Sequence, residues 1–417
     1  MAPDGGHGQA KLRGEGRRVG WLCGEASDKA DPVPVHERTQ PTEQPFIHRA
    51  SLGRRARRAP DTLPGMLPNG RRLGAHLPLG SGMVKAADRA GEIGASAIQI
   101  FSDNPTAWRR RPSLPDELPA FRERLAANDV WPIAIHAPYL VNLAGPEPAF
   151  FDQSVLVLVN ELRVARAYGA RFVNLHVGSH RGEGTAFGVA RVAEGLARVM
   201  ALADEQEAGE GSADGPAGGT PMLVLENGSG GGFGLGTNVE ELGRLEQAIT
   251  ARGVSQDRYG YCLDAAHLWG AGHPINTAAG VDEVLASFDR TIGIHRLHMV
   301  HLNDSRSELG SRSDRHEHIG AGQIGAAGLG RLLVHPGLDH VVYYLETPGM
   351  EEGYDAVNLA RAKALVAGEP LDALPPEAFR TRSAKGRTAP AEAGPDDTAG
   401  ASHKPNRPRR APRRAAR

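Results

Sequence analysis

Short runs of Val, Ile, Leu and Tyr alternate along the chain with longer stretches in which apolar residues recur three or four apart, and these two periods predict strands and helices in turn. Eight runs read as strands: LGAHL (73–77), AIQIF (97–101), WPIAIHA (131–137), FVNLHVG (172–178), MLVLENG (222–228), YGYCLDA (259–265), LHMVHLN (297–303) and VVYYLET (341–347). Amphipathic segments follow most of them, for example SVLVLVNELRVARAYG at 154–169. A β-α-β-α rhythm calls for a parallel sheet with helices outside it, and eight such units predict an α/β fold, a (β/α)8 barrel. Active sites of that barrel lie at its carboxyl face, on the strand ends and the loops that follow.

Polar residues of one chemical kind fall on that face. His136 follows WPIAI, His176 follows FVNL and Glu226 follows MLVL. Asp264 and His267 lie in YCLDAAH, His301 in MVHLND, Asp314 and His316 in SDRH, and Glu346 in VVYYLET. Imidazoles and carboxylates without a thiolate suit zinc or manganese, and nine are more than one ion can use. If the sixth strand turns directly into a helix, Asp264 and His267 project from one face of its first turn. Asp314 and His316, two apart in an extended segment, point the same way. Glu226 and Glu346 sit among apolar strand residues, where a carboxylate is costly to keep charged unless a cation pairs with it. The residues alone therefore predict a multi-metal hydrolytic centre.

The flanks are different in composition. Residues 1–70 are crowded with Gly, Pro and Arg and show no sustained apolar period, so they are expected to stay disordered. Met66, just before the first strand, is a candidate start of translation. The barrel is assigned to residues 71–370, and residues 371–417 to a basic Pro/Ala/Arg-rich disordered tail ending RPRRAPRRAAR. Such a tail attracts polyanions without reading sequence. Residues 205–221, EQEAGEGSADGPAGGTP, read as a surface insertion before the fifth strand.

Net charge of −1 excludes a global field for nucleic acid, leaving any such affinity to local groups and the tail. Two cysteines, Cys23 and Cys262, cannot form a disulfide framework and are not assigned as ligands. The chain has no apolar run of membrane-spanning length and no signal-peptide core, which predicts a cytoplasmic protein.

The motifs IHAPYLVNLAG (135–145), NLHVGSH (174–180), LENGSG (225–230), CLDAAHLWGAG (262–272), HLNDSRSELGSRSDRHEHIGAGQIG (301–325) and LETP (345–348) together resemble endonuclease IV, the zinc-dependent apurinic/apyrimidinic endonuclease family with a TIM-barrel fold. The resemblance runs from about Leu73 to Ala367, and the DRHEHIG block is its most specific part. It implies three zinc ions, with manganese possible in part. His136 and His176 would hold the first together with Glu226, which bridges to the second. Asp264, His301 and Glu346 would complete the second site, and His267, Asp314 and His316 the third. Glu226 and Glu346 are the carboxylates it ties most directly to catalysis.

The implied reaction is hydrolysis of the phosphodiester 5′ to an abasic site, leaving a 3′-OH and a 5′-deoxyribose phosphate. The implied partner is double-stranded DNA containing abasic sites, with a nucleoid-associated location, no membrane and no obligate protein partner. Tyr139 and Leu140 match the family's wedge positions, Trp108 matches an aromatic of the second-strand loop, and Arg109, with Arg110 and Arg111, is a candidate phosphate contact. His76 and His180 are candidate hydrogen-bond supports behind the metal ligands. The chain departs from the family at Thr106, where arginine is common, at Ala265 for threonine, at Gly231 or Gly232 for glutamine, and at Ala321 for glutamate. The rival reading is a xylose-isomerase-like sugar isomerase or epimerase, whose chemistry needs one or two ions and has no use for Asp314 and His316.

Overall fold

The computed structural model describes residues 66–210 and 219–381. Its eight parallel strands close into a barrel: β1 (Leu73–His76), β2 (Ala97–Ile100), β3 (Ile133–His136), β4 (Phe172–His176), β5 (Met222–Glu226), β6 (Tyr259–Asp264), β7 (Leu297–Leu302) and β10 (Val342–Leu345), with β10 pairing β1 to complete the ring. All eight strands occupy the predicted runs, each trimmed by a residue or more where the chain turns out over the carboxyl face. Two further strands, β8 (Asp304–Ser305) and β9 (His316–Glu317), form a small antiparallel pair after β7.

Helices α1 (Met83–Glu92), α2 (Leu118–Ala127), α3 (Pro148–Tyr168), α4 (Thr185–Glu210), α5 (Val239–Ala251), α6 (Ala265–Ala271), α7 (Ala278–Thr291), α8 (Gly325–Val334) and α9 (Tyr354–Ala367) connect the strands. The segment predicted as a helix at 154–169 is the greater part of α3, which stops at Gly169 because that residue takes a left-handed φ of 69°. Near the insertion the structure differs from expectation: α4 carries the helical period through Glu205 and Gln206 to Glu210, and residues 211–218 lie outside the described residues. The Glu- and Gln-rich text at 205–208 has good helix propensity, which a reading for low complexity overlooks.

The packed fold also reaches past 71–370 at both ends. Leu67 is fully buried, and Met66 bridges Arg72 across a turn beneath β1. At the other end a short 3-10 turn, Pro376–Arg380, buries Ala378, whose carbonyl oxygen accepts from His318 Nε2 at 2.9 Å. One local apolar anchor is enough to hold each segment, and neither shows as a periodic pattern. The expectations for residues 1–65 and 382–417 fall outside the described residues.

Two apolar layers fill the fold. The larger lies between strands and helices. The smaller joins Ala97, Ala134, Phe172, Met222, Val224, Cys262, Met299 and Tyr344, one or two from each of seven neighbouring strands. Side chains two apart in a strand share a face, so each of these inward residues determines what stands above it. Two residues on from Ala97, Ala134, Phe172, Val224, Cys262, Met299 and Tyr344 come Gln99, His136, Asn174, Glu226, Asp264, His301 and Glu346. The strand period therefore lifts a polar layer onto the apolar floor of the barrel.

Candidate metal centre

Three groups of side chains in that layer bring ligand atoms within 4.8 Å of one another: His136, His176 and Glu226; Glu226, Asp264, His301 and Glu346; and Asp264, His267 and His316. Glu226 belongs to two of them and Asp264 to two, so the groups are contiguous. Asp314 joins the third, with its carboxylate 2.9 Å from His316 Nε2 and 3.4 Å from His267 Nε2. All nine residues singled out in the sequence thus meet in one place. Asp264 ends β6 and caps α6, accepting from the His267 backbone N–H at 2.7 Å, which is the strand-to-helix turn the spacing required. The β8–β9 pair, with Ser305 opposite His316, folds the Asp314 and His316 segment back over the barrel mouth. Asp304 secures that fold by accepting from the backbone N–H groups of Ser305, Gly322, Ile324 and Gly325.

The imidazoles are oriented from behind. His136 Nδ1 lies 2.7 Å from Ala137 O, His267 Nδ1 2.9 Å from Asn227 O and His316 Nδ1 2.6 Å from Glu346 O, so each can donate there and leave Nε2 as a lone pair facing the cluster. His301 is turned the other way: its Nε2 meets Gln99 Oε1 at 3.0 Å, and Nδ1 faces Glu226, Glu346 and Asp264 at 3.3, 3.5 and 3.8 Å. The carboxylates are held by amides. Asn174 donates to Glu226 at 2.6 Å, Asn303 to Asp264 at 2.7 Å and Gln99 to Glu346 at 2.5 Å. His76 Nδ1 lies 3.3 Å from Glu346 Oε1. His180 does not support the ligands: its Nδ1 accepts from the Gly182 and Gly184 backbones, and its ring lies against Phe233, because the loop after β4 turns it outward.

Gln99, Asn174, Asn227 and Asn303 were missed in the sequence. Their signal was an amide inside an apolar strand run or directly after one, a position that is costly unless the group is fully bonded.

The cluster is charged and its centre is buried. Glu226, Asp264 and His301 are fully buried. Burial would raise the Glu226 carboxyl, but the His176 and His301 rings and its hydrogen bonds with His136 and His267 hold it well below the usual range. Burial would likewise lower His267 and His301; Asp264, Asp314 and Glu226 push the first well up, and Glu346 and Glu226 the second. His316 is raised to about 9 against burial, by Asp264 and Asp314. Without a metal, these shifts favour protons on His267, His301 and His316, which offset the carboxylates around them. Two atoms remain without any hydrogen-bond partner, Glu226 Oε1 and His301 Nδ1, although both are buried. A buried carboxylate oxygen and an imidazole nitrogen 3.3 Å apart, neither in a well-formed hydrogen bond, fit ligation of a shared divalent cation. Cys262 lies just below with its thiol raised to about 11 by burial, which leaves it protonated and outside the ligand set.

A cavity of about 530 Å³ opens beside the cluster, reaching His176, Glu226, His267 and Asp314 on its floor and Trp108, Tyr139 and Leu140 on its wall. Tyr139 is 60% exposed and packs on His136 and His176; Trp108 stacks on Phe150. Arg109 is exposed, and the two arginines that follow it already face acidic residues. Arg110 turns inward, 3.6 Å from the buried Glu161 and bonded to the Asn104 and Ala107 carbonyls, and Arg111 pairs with Asp103 at 3.4 Å. A buried carboxylate on α3 demanded a cation, and the nearest arginine of the loop met it.

An eight-stranded parallel barrel that gathers imidazoles and carboxylates at its carboxyl end defines a class, the metal-binding barrel enzymes. Comparison narrows it. Residues 87–371 match the family model described as xylose isomerase-like TIM barrel. The chain is 36% identical over 293 residues to a probable endonuclease 4 of Methanoculleus marisnigri, covering 70% of this chain and 98% of that one. It is 34% identical to that of Halothermothrix orenii, with 70% and 99% coverage. The crystal structure of endonuclease IV from Thermus thermophilus superposes with a TM-score of 0.58 at 37% identity, covering 71% of this chain and 99% of that one. The chain belongs to the endonuclease IV family and is a hydrolase of the endonuclease type.

Proposed function

We propose that the protein is a DNA-repair enzyme that hydrolyses the phosphodiester 5′ to an abasic site, leaving a 3′-OH and a 5′-deoxyribose phosphate, with three zinc ions held by the nine residues of the cluster. The observation that carries this reading is the third ligand group. Asp264, His267 and His316, with Asp314 against both histidines, adjoin two groups already joined through Glu226. Sugar isomerisation needs one or two ions to polarise a carbonyl; a phosphodiester has charge to offset on the attacked phosphoryl group, on the attacking oxygen and on the leaving oxygen.

His136, His176 and Glu226 would hold one ion, Glu226, Asp264, His301 and Glu346 a second, and His267, Asp314 and His316 the third. Bound divalent ions supply Lewis-acid stabilisation of that charge and a nucleophilic water at neutral pH. The chain's own residues do the rest. Gln99, Asn174 and Asn303 lock the carboxylates so that they need not reorganise as charge moves. Tyr139 and Leu140 stand on the cavity wall, where they can fill the gap left by an extruded abasic sugar, which costs less to extrude than a paired nucleotide. Trp108 borders the same opening, and the exposed Arg109 follows it in the chain. Manganese suits the same nitrogen and oxygen donors and can replace zinc in part. Repair of chromosomal DNA would place the protein in the cytoplasm with the nucleoid; among the described residues no helix is long and apolar enough to cross a membrane.

The test is incubation with duplex DNA carrying one synthetic abasic site, the product ends being mapped on a sequencing gel. A single cut on the 5′ side, ended by a chelator and absent in Glu226→Gln of unchanged circular dichroism, is expected. No cut, or full activity in that variant, would refute the assignment.

A further inference from the structure

Outside glycine, four described residues adopt a left-handed φ: Asp129, Arg181, Phe233 and Arg312. The last three lie on neighbouring loops beside the metal-centre cavity. Arg181 lines it, Phe233 stands between Gly231 and Gly234, which line it, and Arg312 packs its side chain towards Gly230 and leads into Asp314. Phe233 is the most unexpected of them. A bulky residue at a φ of 63° is strained, and this one is also 62% exposed.

The surroundings fix it there. The Phe233 carbonyl accepts from His180 N–H at 3.1 Å, Leu235 N–H donates to Gly178 at 2.9 Å, and Ser179 pairs with Gly234 across the two loops. At Gly228 a methyl group would stand 2.7 Å from the Leu235 carbonyl oxygen, so the two ends of the loop pack closely. One edge of the Phe233 ring leans on His180, 5.6 Å between centroids, and the remainder faces solvent. Arg181, next to His180, is exposed, lines the cavity and has no carboxylate within 4 Å among the described residues. A rigid loop that presents an unpaired aromatic face beside an unpaired cation, at the rim of a site for a polyanion of stacked bases, has the parts of a single-strand clamp.

We infer that Phe233 stacks on a nucleobase flanking the lesion while Arg181 contacts the adjoining backbone phosphate, so that this pair sets how tightly damaged DNA is held. The inference rests on the proposed action on abasic DNA. Tyr139 and Leu140 fill the gap from one side of the cavity, and Phe233 with Arg181 grips the strand from the loops after β5 and β4.

Glycine removes both the ring and the backbone strain, which separates this role from a structural one. For Phe233→Gly the KM for abasic duplex should rise by roughly tenfold with kcat changed less than about twofold, and the thermal midpoint should stay level or rise. Phe233→Trp should restore KM. Arg181→Ala should lower the slope of log affinity against log salt by about one. With 2-aminopurine placed beside the abasic site, its fluorescence should be quenched by the wild type and by Phe233→Trp but not by Phe233→Gly. An unchanged KM in Phe233→Gly, or a lower thermal midpoint with KM unrestored by Trp, would overturn the role while leaving wild-type incision intact; failure of the wild type to incise would instead overturn the reading of the whole site.

Discussion

The histidines of the cluster depend on amides packed behind them. Gln99 meets His301 with its oxygen and Glu346 with its nitrogen, so one amide sets a tautomer and steadies a carboxylate. Gln99→Leu, similar in volume, leaves His301 free to protonate or flip; metal affinity measured by competition with a chromophoric chelator should fall by about 10- to 100-fold, and an unchanged affinity would show that the barrel floor alone positions His301. The protons on the rings make a second prediction. Without metal, the lowered carboxyls of Glu226, Asp314 and Glu346 contribute stability that is lost as acid titrates them. The raised imidazoles of His267, His301 and His316 contribute stability that is present below their ordinary range and lost as the pH rises through about 9 for His316. The metal-free protein should therefore be most stable at roughly pH 5 to 6.5. Zinc must displace these protons, so its uptake should release acid, and the gain in thermal midpoint on adding zinc should widen from about pH 6 to about pH 8. A gain that shrinks over that range would contradict the ring protonation described here.

Among the elements, the strands were legible because apolar runs bounded by turns have few other readings, and most of the candidate ligands because they stand at a run's end, with His267, Asp314 and His316 marked by their spacing instead. What the sequence hid was relational. Asn174 looked like a blemish in FVNLH until β4 paired with β5 and set it against Glu226; Arg110 looked like a surface cation until α3 delivered Glu161 beneath it. His180 shared a motif with His176 but not its face, since the chain leaves the strand between them. The strand that closes the ring is also its tightest point. Gly74 of β1 faces β2 so closely that a methyl group would run into the Ala97 carbonyl. Gly74→Ala should cost more than about 3 kcal/mol by forcing apart paired backbones. It should unfold at lower denaturant than the wild type, and equal midpoints would mean that β1 can shift without loss.

For the molecule as a whole, the boundary with the basic terminal segment lies later than composition suggested, because Ala378 and Thr381 are buried against the barrel. Truncation belongs after Thr381. A chain ending there should keep its thermal midpoint and its incision of the lesion, while binding to undamaged duplex weakens and its salt slope flattens, given the arginines at 407, 409, 410, 413, 414 and 417. An unchanged slope would separate the tail from DNA altogether.

The central claim is that the three contiguous ligand groups act as one cutting centre. It is tested most directly by adding zinc in known equivalents to the metal-free protein and recording the incision rate of abasic duplex after each addition. The account predicts little cutting below two equivalents and full activity close to three. Full activity at a single equivalent, or a rate indifferent to zinc, would contradict it.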